Sequence, residues 1–205
     1  MEIPNGETPC VRPVEIPDKE VLRYLGYRGA DADEKVAALI EEMRTEFTEN
    51  IIPKSVYGIW DCRVNSAAVT LNCLTINSEK LAKHLHKCRR LALMAATLGP
   101  EADTIIRRYS LKAMEKALIA QALGAVMIDA YCDKIAREIA QTNELGAFEP
   151  TIRFSPGYGD FDIAHQKNII KLLNCDKRIG LALTDGYMLV PTKSITAIIG
   201  YKEFE

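Results

Sequence analysis

Several familiar signatures are missing, and each absence excludes something. The six cysteines (Cys10, Cys62, Cys73, Cys88, Cys132 and Cys175) show no CxxC and no paired spacing. The N-terminus has no basic region followed by an apolar run, which argues against a secretory signal. Together these favour reduced thiols in the cytoplasm over a disulfide framework. Charge of one sign is not in excess: a net charge of −2 and a pI near 6.0 argue against nucleic acid or an anionic membrane as the main partner. No apolar run approaches the ~20 residues needed to span a bilayer, and there is no internal repeat or low-complexity segment. What remains is an ordinary globular composition, 48% hydrophobic and 26% charged over 205 residues. That length can bury a full core, so residues 1–205 are expected to form one domain: an arm and helices over 1–50, and a core over 51–205.

Along the chain, the first seventeen residues carry Pro4, Pro9, Pro13 and Pro17 and predict an extended arm. Asp18 is expected to cap a short helix with Val21, Leu22 and Leu25 on one face. A second helix, residues 31–49, places Val36, Leu39, Ile40, Met43 and Phe47 at helical spacing, with an acidic opposite face that reads as solvated. Strand character follows at 56–60 and 68–76, separated by Asn65-Ser66. Ser78 starts a short helix running to His86, and residues 90–98 predict a buried strand ended by Gly99-Pro100. Residues 110–141 contain no proline and predict the longest helix. Between Ala117 and Tyr131 only Gln121, Gly124 and Asp129 interrupt the apolar residues, so this helix is central. Asp185-Gly186 within 181–190 predicts a hairpin, and 194–201 alternates as a last strand. Helices, strands, long helices and strands again predict an α+β fold with a largely antiparallel sheet.

The most informative stretch is RFSPGYGDFDIAHQKNIIKLLN, residues 153–174. Pro156 and Gly157 fit a type II turn, and Ser155 before proline is held extended. Gly157 and Gly159 leave backbone amides approachable. Arg153 supplies a donor fork for a carboxylate, and Tyr158 a flat amphipathic ring. The combination suits a small zwitterionic ligand, although by residue type alone it is equally an ordinary strand-turn-helix junction with a salt-bridged arginine.

This stretch, with KALIAQAL (116–123) before it and LALTDGYMLVPTKSITAIIG (181–200) after it, resembles the activation domain of cobalamin-dependent methionine synthase. The resemblance is carried by Arg-x-x-Pro-Gly-Tyr at 153–158, the leucine pair ending the next helix, the Leu-Thr step, Pro191 and the serine-containing last strand. It is close over about the last ninety residues. It implies a bent antiparallel sheet with surrounding helices in a helmet or C shape, and a ligand groove beside the motif. It further implies that S-adenosylmethionine binds there and that the chain docks on a cobalamin-carrying partner. A flavodoxin- or ferredoxin-type donor would supply an electron while the methyl group passes to the partner's cobalt. Arg153 would take the ligand carboxylate, the Ser155 backbone would contact the ligand, and Tyr158 would pack on it with its π face toward the sulfonium. Gly157 opens the turn. Tyr187 either lines the groove or packs in the sheet. No protein acid, base or nucleophile is required by such a transfer, only positioning and exclusion of water.

The family's acidic ligand in its first segment falls at Tyr24-Leu25-Gly26-Tyr27 here, and its second acid falls near Ala147 or Glu149. No Asp-x-His-x-x-Gly cobalamin signature and no three-cysteine zinc site are present, so the chain is expected to be a component of a methyltransferase system rather than a complete methionine synthase. An adaptor that docks on a corrinoid protein without binding S-adenosylmethionine is the alternative. Other groups read as structural. His84-x-His86-x-Cys88 ends a helix without a fourth ligand, and surface histidines are the simpler reading than a metal site. Asp162 caps the helix 163–173 rather than forming a catalytic pair with Asp160. His165 reads as exposed, with ligand or partner contact as the alternative. Lys193 and Ser194 are weak candidates for partner contact, and Trp60 and Cys73 read as core.

Overall fold

The computed structural model describes residues 16–27, 32–71, 74–142 and 148–203. The expected proline-rich arm, except for its last two residues, falls outside these, as do Cys10, Cys73 and Ala147.

α1 (Asp18–Tyr24) begins directly after Pro17 with no side-chain cap. Asp18 is therefore not the cap expected; its carboxylate instead pairs with Arg44 of the next helix. α2 (Glu34–Asn50) is capped by Asp33, whose side chain accepts from the Val36 amide, and it buries Ile40, Met43 and Phe47. β1 (Lys54–Val64), β2 (Ala68–Leu71) and β3 (Leu74–Asn77) form an antiparallel meander. The single strand expected over 68–76 is thus two strands: Leu71 pairs with Leu74, so the chain reverses between them. α3 (Glu79–His84) starts at a Ser78 cap, as its sequence predicts.

β4 (Cys88–Thr97) is the buried strand expected, between β1 and the last strand. The long helix expected over 110–141 is present but starts a few residues later, and a further helix that was not expected precedes it. α4 (Pro100–Ser110) precedes a break at residues 111–113, and α5 (Met114–Ala140) follows. Pro100, which reads as punctuation, opens α4, where its missing N–H costs nothing. β5 (Phe148–Pro150) leads into the motif. A 3₁₀ turn (Ile163–His165), α6 (Gln166–Leu173) and α7 (Cys175–Ile179) come next. β6 (Ala182–Leu183) and β7 (Leu189–Val190) make the predicted hairpin as a separate small sheet, and β8 (Ser194–Glu203) closes the main one.

The six-stranded sheet has the order β3-β2-β1-β4-β8-β5, with every pairing antiparallel. Side chains alternate across it with the strand period of two. From β4, Ala92, Met94 and Ala96 enter a core with α1, α2, α4 and α5. Leu91, Leu93 and Ala95 enter a second core with α3, α6 and α7. α5 contributes thirteen buried residues, which explains its nearly uninterrupted apolar sequence. Among the described residues, no helix is long and apolar enough to cross a membrane.

Candidate functional site: a charged groove between the long helix and the motif turn

The motif leaves the sheet edge after β5. Phe154 makes an isolated antiparallel bridge to Ile198 of β8, which directs neighbouring side chains to opposite faces. Phe154 packs into the second core, whereas Arg153 reaches α5. The turn follows as predicted. The Tyr158 amide donates to the Ser155 carbonyl at 3.2 Å, and Gly157 takes a φ of 93° at the position where a type II turn requires it.

Short polar contacts fix the loop around this turn. The Gly157 amide donates to the Phe161 carbonyl at 2.7 Å. Asp160 accepts from the Ser78 hydroxyl at 2.5 Å and from the Glu79 and Lys80 amides at 2.8 and 3.2 Å, so it caps α3 from another part of the chain. These donors, the Ser78 hydroxyl foremost, hold its carboxyl below the ordinary aspartate value. At the other end of α3, His84 Nε2 lies 2.7 Å from the Ile152 carbonyl and its ring 5.0 Å from that of Phe154. Asp162 caps the 3₁₀ turn through the Ala164 amide, as expected.

Arg153 is the centre of the site. Its side chain is 20% exposed; Nη2 donates to Asp133 Oδ1 at 2.9 Å and lies 3.6 Å from Asp129 Oδ1. Burial pulls the guanidinium pKa down, but opposing charge more than compensates and leaves it above the ordinary value. The neighbouring Cys132 thiol is pushed up to about 12 by burial and is neutral at physiological pH, so Asp133 and Asp129 are the charges that act there. Asp129 also accepts the Tyr24 hydroxyl at 3.1 Å, which brings α1 to the site.

These groups border a groove of about 890 Å³, a size suited to a small organic ligand. α5 provides one wall with Asp129, Asp133 and Ala136. The motif provides another with Arg153, Ser155 and Tyr158, and β8 provides Ser194 and Thr196. Tyr158 is 66% exposed. Among the described residues the Ser155 amide has no hydrogen-bond partner, so it remains available.

Of the five predicted binding residues, the structure brings Arg153, Ser155 and Tyr158 to the groove. Gly157 shapes the turn but does not line the groove, and its amide is already engaged. Tyr187 lies in the hairpin with a positive φ of 60°; its carbonyl accepts from Gln166 Nε2, and it does not line the groove either. Of the other candidates, Ser194 lines the groove from β8, and the rest lie apart from it. His165 is half-buried rather than exposed, 5.5 Å from the Phe161 ring, and burial lowers its pKa. Lys193 Nζ donates to the Gln121 carbonyl of α5 at 3.1 Å, and burial lowers its pKa. Trp60 packs against the second core as a half-buried residue. No metal-type cluster, at 84–88 or elsewhere, occurs among the described residues.

Asp129 and Asp133 were not singled out as ligands from the sequence. Their signal was present: an acid within a nearly all-apolar helix, with a second acid four residues on, sits on one face and needs a partner. Chemically, the groove offers two guanidinium groups, Arg153 and Arg137, two carboxylates and an aromatic face. Among the described residues, no cysteine or histidine lines it.

Comparisons with known proteins agree with this arrangement. The chain is similar to a solved structure, the crystal structure of the MetH reactivation domain bound to AdoHcy, with a TM-score of 0.72. The likeness covers 93% of this chain and 75% of that one at 14% sequence identity, and at that identity it shows the fold. No curated protein matched the chain. The profile of the vitamin B12 dependent methionine synthase activation domain matches residues 81–203. That span holds three of the six strands of the main sheet, the long helix and the Arg153 motif, and covers more than half of the chain; the protein belongs to the vitamin B12 dependent methionine synthase activation domain family.

Proposed function

We propose that the protein is a cytoplasmic reactivation component for a cobalamin-dependent methionine synthase or a related corrinoid methyltransferase. It binds S-adenosylmethionine in the groove beside residues 153–158 and supports reductive methylation of the cob(II)alamin of a partner chain. A flavodoxin- or ferredoxin-type protein supplies the electron. The observation that carries this reading is the Arg153 guanidinium set beside two carboxylates at a groove that Tyr158 also lines. A zwitterionic sulfonium ligand needs a cation for its carboxylate, an acid for its ammonium and a π face for its sulfur. Arg153 serves the first need, Asp129 the second and Tyr158 the third. Asp129 thereby fills the acidic role that Tyr24 to Tyr27 and Glu149 do not. The AdoHcy bound by the structurally similar reactivation domain supports a ligand of this class.

The ligand supplies the methyl group and the partner's cobalt receives it. This chain's own residues orient the sulfonium and keep water from it, and none of them exchanges a proton with the reactants.

Equilibrium titration with S-adenosylmethionine tests the reading. Saturable binding is expected, weakened at least about tenfold by Arg153→Ala, the loss of a charge-assisted hydrogen bond. A folded protein that binds nothing at millimolar ligand rules out the methyl-donor role. The adaptor reading, docking on a corrinoid protein without the ligand, would then stand. It is favoured by the exposed apolar side chains of Ile152, Met188 and Val190, which are 82%, 66% and 45% accessible.

A further inference from the structure

Arg153 also lines a neighbouring cavity of about 700 Å³ bordered by α1 and α5, and its guanidinium is held at one corner only. Nη2 donates to Asp133, while among the described residues Nε and Nη1 have no partner. A guanidinium binds a carboxylate best along an edge of two parallel N–H groups. Asp133 occupies one of the five N–H groups and leaves a complete two-donor edge open.

Arg153 itself comes from residues 151–153, which lie outside any strand. Nothing regular in its own backbone sets the plane of its long side chain. Asp133, in contrast, sits on the 27-residue α5, and its carbonyl accepts Arg137 Nε at 3.3 Å. Asp129 is placed differently: it receives the Tyr24 hydroxyl and stands beyond hydrogen-bonding distance of Arg153. The two acids, one helical turn apart, therefore have separate duties.

We infer that Asp133 is a positioning residue for the ligand carboxylate: it fixes the plane of the Arg153 guanidinium from the long helix, so that the open two-donor edge is preset toward the groove. This rests on the ligand reading above. It makes carboxylate recognition a property of the pair rather than of the arginine alone. The opposite effect is also calculable in sign. If Asp133 acted only through its charge, it would repel a carboxylate, and removing it would strengthen carboxylate recognition.

The test compares S-adenosylmethionine with decarboxylated S-adenosylmethionine, which keeps both cationic centres. Their affinity ratio isolates the carboxylate in wild-type protein, Asp133→Ala and Asp133→Asn. The expected result is a ratio reduced about three- to tenfold in Asp133→Ala. Asp133→Asn, which retains an oxygen acceptor, should restore most of it. A ratio that rises in both variants shows a field effect and overturns the inference. An unchanged ratio shows a structural role and overturns it as well. Wild-type protein that binds neither ligand overturns the ligand reading and this inference together; wild-type binding with an unmoved ratio overturns this inference alone.

Discussion

The two faces of the central sheet are organised by different means. One is covered chiefly by α5, a single helix with thirteen buried residues, supported by α1, α2 and α4. The other is covered by short pieces: α3 of six residues, α6 of eight and α7 of five. A helix that short has little stability of its own. Its ends are instead satisfied by specific side chains, including Ser78 and Asp160 at α3 and Asp162 before α6. The long-helix face supplies rigidity and the two acids. The short-piece face supplies a turn whose shape depends on exact hydrogen bonds. The groove lies where they meet, and Arg153 is the residue that crosses between them.

Truncating the core on either side should have the largest effect. Leu93→Ala removes a fully buried side chain from the short-piece core, and Met94→Ala one from the long-helix core. Each is expected to cost about 2–5 kcal/mol. Because the two residues are neighbours on β4, one cooperative transition should shift in both variants by thermal or denaturant unfolding. Two separate transitions would show that the faces are independent units and break the comparison.

Gly157→Ala should come next. It forces a side chain onto a φ of 93° and brings Cβ within 3.1 Å of Ile163 Cδ1, at a cost of about 1–2 kcal/mol. Ligand affinity should fall more than for a core change of equal cost, since the motif turn itself is altered. Equal losses for matched stability would remove the special status of the turn.

The Ser78 and Asp160 contact sharpens the comparison through pH. Ser78→Ala is expected to cost about 1 kcal/mol, as for a lost helix cap. Asp160 has a lowered pKa in the folded protein, so its contribution is fully present above the ordinary carboxylate value and is lost as pH falls through the lowered one. Amide exchange of residues 78–84 and 153–161 should therefore accelerate in acid before that of α5, and Asp160→Asn should flatten the difference. Simultaneous acceleration of both regions would contradict it. The smallest effect belongs to the long-helix core: Tyr201 is fully buried and its hydroxyl has no hydrogen-bond partner among the described residues. Tyr201→Phe should change stability by less than about 0.5 kcal/mol, or raise it, by thermal unfolding.

Much of this was legible from periodicity and punctuation. The apolar pattern of α5, the short apolar run of β4, the alternation in β8, the Ser78 and Asp162 caps and the Pro156-Gly157 turn all depend on residues close together in sequence. The errors were local competitions. The strand-like composition of 68–76 concealed the reversal between β2 and β3, and Pro100 looked like an end where it was a beginning. Asp18 looked like a cap, but it had a distant partner in Arg44.

The sequence by itself determined that Ser155 to Tyr158 form a turn with Arg153 just before it, because turn chemistry is set by neighbouring backbone angles. It also determined that a central helix lies within residues 110–141. Only the tertiary structure decided which acids face Arg153. Asp129 and Asp133 lie 24 and 20 residues before it, and their approach requires α5 to pack on the sheet while the motif leaves its edge. Tyr24, farther still, reaches Asp129 only because α1 lies against α5. Charge pairing across such distances follows from packing, and no spacing rule along the chain encodes it.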